Sequence, residues 1–280
     1  MLSYLHAYHA GNVADVQKHA ALMLATTLMQ AKSSPIAFFD THAGSALYDL
    51  TGERALKTGE AAEGIQKVWV RRQALTNPDW VAMLNTLAAL NGESATLIRY
   101  PGSPAWIQGR MRPDDRLTAF ELHPAEQHSL SDWAKGRPNV RVRHEDGLNG
   151  LLASLPPSQP RLLVLMDPSY EIKSDYADVA QTLEQAWKKC RHGVYLVWYP
   201  ILTSGLEQGL KDAVAGSALR KVWCSEIHRT QPPARGMTGS GLLVVNPPWG
   251  LDQRLNALLD DVSGDDGLAV RVQSRWLIPE

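Results

Sequence analysis

Ile36-Ala37-Phe38-Phe39-Asp40-Thr41-His42-Ala43-Gly44 is a short, continuously apolar run that ends in a carboxylate and then a glycine-bearing turn. Unbroken apolarity over four residues, with Pro35 just before it, is the pattern of a strand buried on both faces. Upstream, Val16, Ala20, Met23, Leu24, Leu28 and Ala31 recur at three- and four-residue spacing, with Asn12 placed to cap them. That spacing predicts an amphipathic helix over Val13 to Ala31. Downstream the strand pattern returns at Arg116 to Leu122, Asn139 to Arg143, Arg161 to Asp167, Val194 to Tyr199, Arg220 to His228 and Gly241 to Asn246. Helical patterns lie between most of them. The clearest is Asp175 to Cys190, with Tyr176, Val179, Ala180, Leu183, Ala186, Trp187 and Cys190 in one stripe. Strand and helix in alternation predict an α/β fold with a seven-stranded, mostly parallel sheet covered on both faces.

One segment breaks the rhythm. Between Asp40 and Glu121 lie 80 residues, too many for one crossover, with helical patterns at Gly59 to Gln73 and Asn77 to Leu90. Asn77-Pro78 opens the second as a cap followed by proline at the first helical position. A helical insertion is therefore expected at 45–98, returning to the sheet near Tyr100, within a main domain of 1–44 and 99–280.

The chain has 280 residues, 28 Lys+Arg against 29 Asp+Glu, and a net charge of -1. It is neither a polycation nor an acidic tail, so any basic surface must be local. Hydrophobic residues at 44% and charged residues at 20% exclude a disordered or fibrous chain. Two cysteines, Cys190 and Cys224, are too few for a disulfide scaffold and fit a reducing compartment, so cytoplasm is expected. Asp15, Lys18 and His19 interrupt the first apolar stretch, which does not read as a signal peptide. The apolar runs Leu162 to Met166 and Tyr195 to Leu202 fall short of the roughly 18 residues needed to cross a bilayer.

In an open parallel sheet, ligands bind beyond the carboxyl ends of the strands. Those ends read Asp40-Thr41-His42-Ala43-Gly44, Glu121-Leu122-His123, Glu145-Asp146-Gly147 and Asp167-Pro168-Ser169-Tyr170. Any one carboxylate there is ordinarily a helix cap or a solvated turn. Four in succession on one edge ask for a ligand. A nicotinamide fingerprint, a P-loop and G-x-S-x-G are all absent.

Asp167-Pro168-Ser169-Tyr170 carries the most specific chemistry. An exocyclic amine on a heterocycle is a poor nucleophile because its lone pair is delocalised into the ring. The Asp167 carboxylate and the Pro168 carbonyl would accept both amino hydrogens and draw the nitrogen towards pyramidal geometry, while Tyr170 stacks on the ring. Proline aims its carbonyl in advance. A turn after a strand accounts for the proline alone about as well. Asn246-Pro247-Pro248-Trp249 fits the same pattern, but its strand follows the sixth through a hairpin-length loop. It should run antiparallel and end on the opposite edge, as a structural turn.

The whole chain resembles the bacterial 23S ribosomal RNA adenine-N6-methyltransferases of the RlmJ family, Rossmann-like class I enzymes that use S-adenosylmethionine (SAM) and carry a helical insertion. The resemblance rests on Ser3-Tyr4, His9-Ala10-Gly11-Asn12, Asp15, Lys18-His19, Asp40 to Gly44, Tyr100-Pro101-Gly102-Ser103-Pro104, Glu121-Leu122-His123-Pro124, Asp146-Gly147, Asp167-Pro168, Trp198-Tyr199-Pro200, Arg235-Gly236-Met237-Thr238 and Trp276-Leu277-Ile278-Pro279-Glu280. It departs at Ser169, where the family has a second proline; the carboxylate, the carbonyl and the ring remain.

The resemblance implies Asp167, Pro168 and Tyr170 as the catalytic motif. It also implies SAM contacts from Glu121 to the ribose, from Asp146 and Gly147 to the adenine, from His42 near the methionine and from Gly44, where backbone approaches the ligand. His19, Ser103 and Asp167 complete the cofactor set. By spacing alone His19 is a satisfied core histidine and Ser103, before Pro104, a helix cap. Tyr4 and Arg235 are expected on the substrate RNA. Arg71, Arg72, Arg110, Arg112, Arg116 and Arg229 are further phosphate candidates, although such residues are mostly solvated surface. The expected partner is 23S rRNA, met by a monomer without metal or membrane. Two other readings stand beside it: methylation of DNA adenine or a protein glutamine, and an inactive RNA-binding relative.

Overall fold

The computed structural model describes residues 4–92 and 94–280; Ser3, in the first family stretch, lies outside them. After a single turn of 3-10 helix at His6–Tyr8, α1 (Val13–Met29) starts at Asn12, whose side chain accepts from the Asp15 amide. β1 (Ile36–Asp40) follows, then β2 (Leu47–Asp49), the short helices α2 (Glu53–Thr58), α3 (Glu60–Glu63) and α4 (Ile65–Val70), α5 (Pro78–Asn91) and β3 (Arg99–Pro101). The rest alternates: α6 (Ser103–Gln108), β4 (Arg116–Phe120), α7 (Pro124–Ala134), β5 (Val140–Arg143), α8 (Gly147–Ser154), β6 (Arg161–Met166) and α9 (Asp175–Lys189). The chain then forms β7 (Val194–Leu202), α10 (Glu207–Ala215), β8 (Val222–Arg229), β9 (Met237–Val245), α11 (Leu251–Ser263) and β10 (Val270–Ile278).

The central sheet has the order β10-β8-β9-β7-β6-β1-β4-β5, with β9 antiparallel to both neighbours and β10 antiparallel to β8. It thus has eight strands where the sequence pattern gives seven. β10 escapes that reading because it is an edge strand exposed along most of its length, so no buried face imprints an apolar alternation on it. Every residue of β1 is buried. Ile36 and Phe38 join the core beneath α1, α11 and the α2–α5 segment, while Ala37 and Phe39 join the core beneath α8, α9 and α10. Two apolar layers, one per face, are what a continuous apolar strand requires.

The segment between β1 and β4 differs from expectation in two places. Tyr100 does not return to the central sheet; β3 pairs with β2 in a separate two-stranded ribbon, Tyr48 opposite Tyr100. The helix expected from Gly59 to Gln73 is broken at Gly64, where the chain presses on the turn before α1. A Cβ on Gly64 would lie 2.1 Å from the Gly11 carbonyl oxygen, and the Ile65 amide donates to that same oxygen at 2.8 Å. The segment also shares the α1–α11 core. Trp80 is fully buried and donates to the Leu258 carbonyl at 2.9 Å, and Arg254 pairs with Asp79. No helix among the described residues is long and apolar enough to cross a membrane.

Candidate active site

The register β1–β4 and β1–β6 sets Asp40 level with Ala119 and Leu165, so the residues just beyond these strands emerge on one edge. There they line a cavity of about 900 Å³. Of the expected residues, Tyr4, His19, His42, Gly44 and Ser103 line it together with Glu121, Asp146, Gly147, Asp167, Pro168 and Tyr170. Arg235 does not; it is exposed on the β8–β9 connection, and only Met237 at the end of that loop reaches the wall.

Asp167 follows β6 with its side chain 12% exposed, and Lys18 from α1 donates to its Oδ2 at 2.5 Å. Burial pushes the Asp167 carboxyl above its ordinary range, and the Lys18 charge is the main force opposing that. Lys18 also lies 2.8 Å from Asp15 Oδ1. Asp15 is held at its other oxygen by the Gly11 amide, 2.8 Å, and by His6 Nε2, 2.9 Å, and the Tyr4 hydroxyl is hydrogen-bonded with His6 Nδ1 at 2.9 Å. A line of polar contacts therefore runs from Tyr4 through His6, Asp15 and Lys18 to Asp167. The Tyr170 ring is 7% exposed, packed 4.4 Å from Tyr176 and 6.0 Å from Trp198, and its hydroxyl donates to the Trp198 carbonyl at 2.7 Å. Its φ of +53° is unusual for a bulky residue and marks a sharp turn just after Pro168-Ser169.

On the other wall, Glu121 accepts the Gly44 amide at 2.8 Å and the His123 amide at 2.7 Å, which fixes the carboxylate at the mouth of the β1 turn. Gly44 has φ of +61°, and a Cβ there would meet the Tyr48 hydroxyl at 2.0 Å. Asp146 caps α8 by accepting the Asn149 amide. Gly147 is required beside it: a Cβ would lie 1.8 Å from the Thr41 carbonyl oxygen. His42 Nδ1 is 2.8 Å from the Thr41 hydroxyl, which donates onward to the Leu165 carbonyl at 3.2 Å. That chain leaves His42 Nε2 as the acceptor, and burial lowers its pKa to about 4. His19, 2.8 Å from the Tyr100 hydroxyl, is held down to about 3 by burial, so it is a neutral imidazole lining the cavity.

Ser103 does not cap α6: the cap position is Gly102, and no side chain bonds the helix start. Its hydroxyl instead approaches Asp40, whose Oδ2 is buried without a hydrogen-bond partner. Burial pushes Asp40 up to about 7 against the pull of that hydroxyl. Arg110, Arg112 and Arg116 lie before β4 or at its start, at the opposite edge. Arg112 is bound to Asp115 and to the Lys32 and Ser34 carbonyls. Asn246 is also on that edge, its side chain donating to the Arg191 and Gly193 carbonyls ahead of β7.

Lys18, Asp15, His6, Glu60 and Trp198 also line the cavity, beyond the site residues expected from the sequence. A signal for the first two was present: α1 is buried on every face, so charges three residues apart on it have to be paired inside. The lining holds Lys18 as its only Lys or Arg among the described residues, against nine carboxylates, Asp15, Glu60, Glu121, Asp146 and Asp167 among them. Such a wall suits a cationic ligand. With the glycine cradle at Gly44 and Gly147, it fits the sulfonium, ammonium and nucleoside parts of SAM.

A mostly parallel sheet with a carboxylate at successive strand ends and a reversed β9 is the class I methyltransferase architecture. The sequence profile of the family described as ribosomal RNA large subunit methyltransferase D, RlmJ, matches residues 33–271. The ribosomal RNA large subunit methyltransferases J of Escherichia coli (strain K12) and Haemophilus influenzae are 37% and 36% identical over 260 residues, 92% of this chain and of each relative. A crystal structure of a Legionella pneumophila protein superposes with a TM-score of 0.88 at 31% identity, covering 96% of this chain and 98% of that one. The chain belongs to the RlmJ family and is a methyltransferase.

Proposed function

We propose that this chain methylates N6 of an adenine in 23S ribosomal RNA, with SAM as the donor. The observation that carries the reading is Asp167-Pro168, fixed by Lys18 at the end of β6 in the cavity that also holds Glu121, Asp146 and Gly147. When bound, SAM supplies a methyl group on a sulfonium, open to displacement by an in-line nucleophile. Glu121 would hold the ribose hydroxyls, Asp146 and Gly147 the adenine, and His42 and Gly44 the methionine end. His19 and Ser103 would close the inner wall. Asp167 and the Pro168 carbonyl would accept hydrogen bonds from the two N6 hydrogens of a base turned out of its stack, which costs a few kcal/mol. N6 would gain the methyl group and give up one of those hydrogens as a proton to water. Holding both reactants in line supplies on the order of 7 to 11 kcal/mol. Tyr4 and Arg235 would contact the RNA.

The same reading places the protein in the bacterial cytoplasm. It divides the chain into a methyltransferase body, 1–44 and 99–280, and an insertion subdomain, 45–98, which the β2–β3 ribbon supports at its base. Incubation of the purified protein with labelled SAM and matched RNA, DNA and protein acceptors tests the acceptor. Label at an adenine of the large-subunit RNA is expected. Label in DNA alone would discard the RNA reading, and absence of SAM binding by calorimetry would mark an inactive relative.

A further inference from the structure

The α2–α5 segment sends one charged side chain into the cavity wall. Glu60, the first residue of α3, accepts from His9 Nδ1 at 2.8 Å through Oε1 and from Asn12 Nδ2 at 2.9 Å through Oε2. Around it the same segment grips the chain that precedes α1 at four more points. The Thr58 hydroxyl donates to the Tyr8 carbonyl, Lys57 lies over the Tyr8 ring at 5.7 Å, Ile65 donates to the Gly11 carbonyl and Gly64 packs flat against Gly11 and Asn12. His9 is the residue on which Tyr4 stacks, with ring centroids 5.4 Å apart and planes 5° from parallel. Tyr4 and His6 in turn start the line of contacts that ends at Asp167.

We propose that Glu60 is a positioning residue for methyl transfer: through His9 it holds Tyr4 and His6 over the acceptor side of the cavity. This rests on the methyltransferase reading above and gives the insertion a task in it, that of a clamp on residues 4–12. Glu60 reaches none of Glu121, Asp146 or Gly147; its two side-chain bonds are to His9 and Asn12. Its loss should therefore spare cofactor binding and weaken turnover of the acceptor. A misplacement of reacting groups by about 1 Å costs around 100-fold, which sets the scale of the effect.

The test compares wild type, Glu60→Ala and Glu60→Gln, with Gln66→Ala as a control. Gln66 ties the insertion to itself: its two side-chain hydrogen bonds run to the Leu97 amide and carbonyl. Amide hydrogen exchange is followed over residues 5–12, SAM affinity by calorimetry, and labelled transfer to a large-subunit RNA transcript as separate kcat and KM. Glu60→Ala should lose protection at 5–12 and about 10- to 100-fold in kcat/KM, with SAM affinity within about threefold of wild type. Glu60→Gln, which still accepts a hydrogen bond from His9, should recover most of both. Gln66→Ala should lower Tm and leave the kinetics alone. Unchanged exchange in Glu60→Ala overturns the proposal, as does an equal loss in Gln66→Ala. Should wild type transfer no label to RNA, the functional reading falls, while the exchange comparison still decides the clamp.

Discussion

Lys18 Nζ lies 2.5 Å from Asp167 Oδ2, a pair that joins the first helix to the end of the fourth strand of the parallel core. Both side chains are largely withdrawn from water, so each is tolerated because of the other. The pair occupies one carboxylate oxygen and leaves Oδ1 for an amine. Asp167→Ala should abolish methyl transfer, by at least about 1,000-fold in kcat, while SAM still binds in calorimetry. Retained turnover would move the acceptor site elsewhere, with Asn246 on the opposite edge the next residue to test.

Lys18→Met keeps the length of the side chain and removes its charge. Burial already raises Asp167, and the lysine is the main force holding it down, so its removal lets the carboxyl rise further. The ionised form, which accepts hydrogen bonds from the amine, is then less favoured at a given pH. The acid limb of kcat/KM should shift to higher pH in Lys18→Met, with activity partly restored in alkali. A pH profile of unchanged shape would show that Lys18 only packs.

Seven of the eight sheet strands, the α1 cap at Asn12, the α9 stripe and the reversed β9 were legible because each rests on local periodicity or turn chemistry. So were the strand ends that line the cavity, since parallel strands deliver their carboxyl termini to one edge. What was not legible depends on contacts between distant segments. Gly64 breaks a helix only because Gly11 lies against it, and Ser103 leaves its cap position for an aspartate 63 residues earlier in the chain. Glu60 has an ordinary surface sequence context, and nothing within a few residues of it reveals His9 and Asn12 as its partners.

Asp40 links pH to stability. Its folded pKa, near 7, lies above the ordinary 3.8, so the protonated form is the one that folding favours. That stabilisation is complete below pH 3.8 and is lost as pH rises through about 7. Asp40→Asn stays neutral throughout. Across that window, the Tm of wild type should fall steadily relative to Asp40→Asn, by the equivalent of a few kcal/mol at the upper end. Parallel Tm curves would show that Asp40 is ionised and paired at neutral pH.

Arg235 is exposed on the β8–β9 loop and does not line the cavity, so the contact proposed for it is with an RNA phosphate. Arg235→Ala should weaken RNA binding and lower the slope of log K against log salt by about 1 or less. SAM affinity should not change. A salt slope equal to that of wild type would remove this loop from the interface.

Gly147 joins the Asp146 cap to the β1 turn at a contact closer than any side chain allows. Since an added Cβ would lie 1.8 Å from the Thr41 carbonyl oxygen, and Thr41 is itself tied to the Leu165 carbonyl, the α8 start has to move outward instead. That displaces Asp146 from the wall it shares with His42 and Gly44. Gly147→Ala should weaken SAM binding by at least about tenfold, some 1.4 kcal/mol. Gly150→Ala provides the comparison, because its added Cβ would meet the Phe120 ring at 2.3 Å, inside the core and away from the cavity. That variant should lose Tm with little change in SAM affinity per folded molecule. Equal affinity losses in the two variants would mean that Gly147 serves the fold and not the cofactor wall.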